Sequence, residues 1–182
     1  MNRSSVSGDP VEVAKRLLGA HLVSGEVTVR LIDVEAYGGV DDEASHAYRG
    51  ETPRNRSMFG RPGLLYVYLS YGIHHCANVV CGAEGSASAV LLRGAEVLEG
   101  EQTVAARRGR PTLGGRIDGP GRLCQALGLD RASDGVDLLS LSAPVRLEAG
   151  RISRGDTVTA GPRVGITKAV DRAWRFRLVM AR

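Results

Sequence analysis

Aromatic side chains are scarce in this 182-residue sequence: one tryptophan, two phenylalanines and five tyrosines make up 4% of it. Lysine is scarcer still, with 2 residues against 22 arginines. Lys15 falls in a helical stretch and Lys168 near the C-terminus, neither near the tyrosines of residues 37–71, so covalent amine chemistry is poorly served. Three cysteines, Cys76, Cys81 and Cys124, are too few and odd in number for a disulfide framework and suit a reducing compartment. Each lies in apolar surroundings, as buried core thiols do. No CxxC or HxxxH pair completes a tetrahedral set, and in HHCANVVC (74–81) consecutive residues would point to opposite strand faces, so a zinc site is not expected. No apolar run approaches the ~20 residues of a membrane span. The opening MNRSSVSGDP has no apolar signal core, so the expectation is a cytoplasmic protein with no membrane contact.

What is present is ordinary in bulk. The apolar content of 43% and the length suit one domain with a full core. The net charge of +4 and pI near 9.2 permit a polyanionic partner, and arginine suits bidentate phosphate contacts. A helix is expected from Asp9-Pro10, with Asp9 capping, Pro10 first, Glu12 completing a capping box, Val11, Ala14, Leu17 and Leu18 on one stripe, and Gly19 as the stop. HLVSGEVTVRLIDVEAY reads as a hairpin turning at Ser24-Gly25 into a strand from Glu26 to about Glu35. Residues 38–63 form a long polar, Gly-rich loop carrying Arg49, Arg54, Arg56 and Arg61; a loop of that length is functional or disordered. Residues 64–81 alternate as strands around Ser70-Tyr71-Gly72, followed by another strand, SAVLLRGAEVLEG. Residues 101–121 form a second Arg- and Gly-rich excursion, helical in its first part, and RLCQALGL is a short helix closed by Gly128. Short strands complete the chain. The expected fold is α+β: a single mixed domain over residues 1–182, with a mostly antiparallel sheet, flanking helices, a protruding hairpin and a flexible tail at residues 1–8.

The few aromatics are concentrated. All five tyrosines fall between Tyr37 and Tyr71, and three of the four histidines, His46, His74 and His75, lie in or beside that window. Alternation puts Tyr66, Tyr68 and Ser70 on one strand face, with Leu65, Val67 and Leu69 turned into the core. Tyr71 sits at the turn, where polar residues are the rule. Either the turn folds over and buries it, or the hairpin is a wedge that enters a base stack while neighbouring aromatics hold an extruded base. In DVEAY, Asp33, Glu35 and Tyr37 share one side of a strand end, so Glu35 is placed to face a pocket, or is merely solvated. Asp41, Asp42 and Glu43 read as a solvated, acidic start of a helix or, with Asp33 and Glu35, as magnesium ligands of a nuclease.

Taken together, VEAY, DEASHAYRG, TPRNRSMFGRPGLLYVYLSYGIHHCANVV, VLLRGAEVLEG, GPGRLCQALGL and RVGI resemble the alkyladenine (3-methyladenine) DNA glycosylase family, from about Asp9 to Phe176. The resemblance implies base-excision repair: hydrolysis of the N-glycosidic bond of alkylated or deaminated purines (3-methyladenine, 7-methylguanine, hypoxanthine, ethenoadenine) in double-stranded DNA. It implies a monomer with neither cofactor nor abasic-site lyase activity. It assigns Glu35 as general base and Arg93 beside the nucleophilic water. Tyr37 lies on one face of the flipped purine, with His46 and Tyr68 on the other. Asn78 excludes the amine of normal guanine, and Tyr71 intercalates. Arg54, Asn55, Arg56 and Tyr66 are further DNA contacts. His74-His75 departs from the aromatic or apolar pair of the mammalian members. An inactive module that binds nucleic acid by tyrosine stacking and a metal-dependent nuclease are the competing expectations.

Overall fold

Two long strands, β2 (Val27–Tyr37) and β5 (Ala89–Glu99), form the spine of the molecule. The computed structural model describes residues 1–181. Around the spine stand β1 (His21–Ser24), β3 (Leu65–Ser70), β4 (His74–Val80), β6 (Arg116–Asp118), β7 (Val145–Glu148), β8 (Thr157–Gly161) and β9 (Arg175–Val179). The main path runs β3-β4-β5-β2-β1-β7; β6 adds to β5, and β9 with β8 adds to β2. Every pairing is antiparallel. The α+β expectation with a mostly antiparallel sheet therefore holds.

The sheet curls because β2 is bulged around Asp33, where its register against β5 shifts twice. Its first half pairs with β1 through residues 27–30, and beyond the bulge residues 33–35 pair with β9. Asp33 and Glu35 thereby reach a different neighbourhood from the rest of the strand. Hairpin β3–β4 pairs along its whole length, yet β4 reaches β5 only through Asn78–Val80. The remainder of the hairpin stands off the sheet, with grooves on either side.

Helix α1 (Pro10–Leu17) starts at Asp9, whose carboxylate accepts from Val11 and Glu12 N–H. Glu12 ion-pairs with Lys15 instead of completing a capping box. Helix α2 (Glu101–Arg108) follows β5, and α3 (Pro120–Leu127) ends at the left-handed Gly128. The β1–β2 turn is Gly25-Glu26, one residue later than expected, with Gly25 supplying a φ of 59°. The first residues are not a loose tail. Residues 3–6 form a 3-10 turn capped by Asn2, Val6 is fully buried, and Gly8 N–H donates to the Cys81 carbonyl.

The main core lies between the helices and one face of the sheet and includes Leu65 and Val67. A smaller cluster of Ala47, Met58, Tyr66, Val80, Ala87 and Ala89 lies under the 38–63 loop. No helix among the described residues is long and apolar enough to cross a membrane.

Candidate active site

On the loop side of the hairpin lies a pocket of about 610 Å³, lined by Tyr37, His46, Tyr68, Asn78, Arg93 and Val164 among others. That volume falls within the range of small-molecule sites. Strands β2, β4 and β5 supply Tyr37, Asn78 and Arg93, so the pocket floor is held by the ladders of the sheet. His46 comes from the long loop, which is tied down by Asn55. The Asn55 side-chain amide donates to the carbonyls of His46 and Gly50, while its oxygen accepts from Thr52 N–H.

The aromatic walls pack closely. The His46 and Tyr68 rings meet edge to face at 4.4 Å, and Tyr66 lies 5.5 Å from Tyr68. His46 Nδ1 and Tyr66 Oη are 3.0 Å apart. Burial, then the nearby Arg54 cation, lowers the His46 pKa from its ordinary value, so the imidazole is neutral at pH 7. Burial pushes the Tyr66 hydroxyl up to about 12 and raises Tyr37 and Tyr68 further, keeping all three protonated donors. Asn78, 4% exposed, donates to the Tyr66 carbonyl, which fixes its amide at the pocket wall.

Glu35 does not face solvent. Its side chain has no exposed surface and lies behind the pocket, covered by residues that line it. Tyr37 Oη–H donates to Oε2 at 2.9 Å and Val164 N–H to Oε1 at 2.8 Å. Arg93 Nε is 3.3 Å from Oε1, an ion pair whose angle falls short of a hydrogen bond. The expectation of an open carboxylate at a strand end is corrected: the β2 bulge and the segment after β8 enclose it. A buried charge needs such partners, and all three of them border the pocket.

A second buried pair stands behind Tyr37. Arg163 donates through both terminal nitrogens to Asp42 at 2.6 and 2.8 Å, and neither side chain is more than 1% exposed. The Arg163 guanidinium lies over the Tyr37 ring at 4.6 Å and over Trp174 at 5.2 Å. Burial works to raise the Asp42 pKa, but the bonds from Arg163 and the Gly38 N–H outweigh it and hold the carboxyl low. Asp42 is therefore neither a solvated helix start nor an available metal ligand. No group of three His, Cys, Asp or Glu side chains among the described residues is placed to hold a metal ion.

Tyr71 is not buried by a folded-over tip. It is 92% exposed, with Ile73 at 71%, and its φ of 49° is a left-handed conformation that costs a non-glycine residue about 1–2 kcal/mol. Tyr71 and Arg54 border the pocket; Arg54 also lies over Tyr68 at 5.6 Å. Arg56 is exposed and pairs with Glu51. Asn55 and Tyr66, expected to touch DNA, are 2% and 1% exposed. Their polar atoms hold His46 and the loop, and Tyr66 also lines the pocket. Sequence reasoning gave no role to Arg163 or Val164, although the RVGI motif contains both.

A family model described as methylpurine-DNA glycosylase matches residues 4–181. A protein of Mycobacterium tuberculosis (strain ATCC 25618 / H37Rv) named "Putative 3-methyladenine DNA glycosylase" is 47% identical over 184 residues, covering 98% of this chain and 89% of the relative. Relatives of the same name in Rhodococcus jostii (strain RHA1) and Mycolicibacterium fortuitum are each 49% identical, covering 92% and 93% of this chain and 77% and 89% of their own length.

Proposed function

This chain belongs to the methylpurine-DNA glycosylase family, and from that premise we propose that it excises alkylated or deaminated purines from duplex DNA by flipping them into the aromatic pocket. Such a base must leave the stack before any side chain can reach its glycosidic bond. Tyr71, exposed and strained on a protruding turn, is the filler for the gap. Tyr37 stacks on one face of the extruded purine, and His46 with Tyr68 on the other. A neutral His46 donates or accepts a hydrogen bond at the base edge without adding a cation beside an already cationic alkylpurine. The Asn78 amide crowds the exocyclic amine of a normal guanine.

The observation that carries the chemistry is Glu35, the carboxylate held behind the pocket by Tyr37, Val164 and Arg93. A water oxygen bonds to the sugar C1′ as the C1′–N bond breaks and its electron pair leaves on the purine, and Glu35 takes the water's proton; a cationic alkylpurine departs neutral, and a neutral base such as hypoxanthine takes a proton from solvent as it leaves. The carboxylate also stabilises the positive charge that develops on the sugar. Because Glu35 has no exposed surface, water reaches it only if Tyr37, Arg93 or the Val164 segment shifts outward as the nucleotide enters. No lysine lines the pocket, so a Schiff base with the abasic sugar has no donor there, and hydrolysis without strand cleavage is the outcome. 3-Methyladenine, 7-methylguanine, hypoxanthine and ethenoadenine are the substrate class.

The test is single-turnover excision from duplexes each carrying one such lesion, read by alkali cleavage and a sizing gel. Glu35→Gln keeps the shape and the hydrogen bond from Val164. It is expected to slow base release by about 10²–10⁴-fold while still binding damaged duplex. Release at the native rate would remove Glu35 from the mechanism.

A further inference from the structure

Residues 162–174 join β8 to β9 with no helix or strand of their own. Among the described residues, the main chain between the ends of this segment bonds to the rest of the fold at one point, Val164 N–H on Glu35 Oε1. The side chain one residue earlier fixes that point. Arg163 donates through its two terminal nitrogens to both Asp42 oxygens, to the Ala36 carbonyl at 3.1 Å and to the Ala169 carbonyl at 3.4 Å. Ala36 is the residue between Glu35 and Tyr37. Ala169 holds a left-handed φ of 49°, so the same guanidinium ties down a strained turn of the segment.

The guanidinium plane is occupied as well. Tyr37 lies against it at 4.6 Å and Trp174 at 5.2 Å, and Arg172 in turn lies over Trp174 at 4.6 Å. Tyr37, Arg163, Trp174 and Arg172 thus follow one another in contact from the pocket wall to a partly exposed side chain. Glu35 has two hydrogen-bond donors, Tyr37 Oη–H and Val164 N–H. One belongs to the ring that Arg163 packs against, and the other is the peptide next to Arg163. Stability alone does not call for this arrangement, because apolar residues of similar volume often hold a core as well as a buried ion pair does. A lysine would balance the charge of Asp42, but it has neither the fork nor the flat faces.

We propose that Arg163, locked by Asp42, is a positioning residue for Glu35. One guanidinium holds the Tyr37 ring from behind and the Val164 peptide from the side, and so sets both hydrogen bonds that aim the carboxylate at the sugar. The proposal rests on the reading of Glu35 as the general base. It adds a residue that touches neither the base nor the water and acts only through that carboxylate.

The experiment is single-turnover excision with protein in excess, on a duplex carrying the lesion that the native protein releases fastest. The plateau rate constant and the half-saturating protein concentration are read apart. Arg163→Lys keeps the charge opposite Asp42 and loses the fork. Its plateau rate constant should fall by about 10–100-fold, with the half-saturating concentration unchanged. Partial unfolding would instead lower the amplitude of release and leave the rate constant of the folded molecules where it was. Introduced into Glu35→Gln, the same substitution should slow the residual release far less, because the group that it orients is already gone. Arg163→Met with Asp42→Asn removes both charges together and keeps apolar packing on Tyr37 and Trp174; it should show the same loss of rate constant. A native rate constant in either Arg163 variant, a loss carried by the half-saturating concentration, or an equal fold-loss with and without Glu35 would overturn the role of Arg163 alone. No release by the native protein, or native-rate release by Glu35→Gln, would overturn the reading of the base and this proposal with it.

Discussion

The two ends of the β3–β4 hairpin carry the same residue type under opposite conditions. At the base Tyr66 is 1% exposed, its hydroxyl against His46 and its ring packed beside Tyr68. At the tip Tyr71 is 92% exposed in a left-handed turn and lies against nothing that explains it. Four residues separate them. At the base, packing and hydrogen bonds hold the aromatics, so their rigidity follows from folding. At the tip the protein keeps an apolar ring in water and a backbone strain that folding does not require. Strain retained without a folding benefit points to a partner.

That contrast yields predictions in descending size. Asp42→Asn should lower stability by about 3–5 kcal/mol, because it leaves the buried Arg163 guanidinium without its counter-charge; urea denaturation measures it. The Asp42 carboxyl is held below its ordinary value, so its contribution is complete above about pH 4 and is lost as pH falls below that. The tip should behave in the reverse manner. Tyr71→Gly should weaken binding to a lesion duplex by about 1–3 kcal/mol, while thermal stability stays level or rises by about 1 kcal/mol as the φ strain is relieved. Equal losses in stability and binding would erase the distinction between the two ends. The smallest effect belongs to His46. Its folded pKa lies below the ordinary value near 6.5, so the stability it contributes is complete above that value and declines as pH falls toward the lowered one. An NMR titration should place its midpoint below 6.5, and a midpoint at or above 6.5 would contradict the buried pocket wall.

Much of the fold was legible because its signals are local. Asp9-Pro10 opens α1 and Gly128 closes α3 through capping within a turn of the chain. Alternation along 64–80 gave the hairpin with its tip at Tyr71-Gly72. The site was legible as a set of residues: Tyr37, His46, Tyr68, Asn78 and Arg93 do line one pocket. Its interior was not. The Val164 N–H that bonds Glu35 comes from 129 residues away, and Arg163 meets Asp42 across 121. Asn55 and Tyr66 looked like surface contacts because their burial depends on how the long loop folds over β3. The Arg-rich stretch 101–121 announced positive charge, but only the tertiary structure gathers Arg108, Arg110 and Arg116 around one cleft.

By itself the sequence determined the kinds of element, the alternation that sorts β3, and the gathering of tyrosines beside a carboxylate and a basic loop. These follow from chain geometry and from the chemistry of neighbouring side chains. Only the tertiary structure decided that Glu35 is enclosed, that Asp42 is neutralised by Arg163, and that arginines distant in sequence line one cleft. Burial and ion pairing depend on distance in space, and in a low-dielectric interior that distance sets the energy.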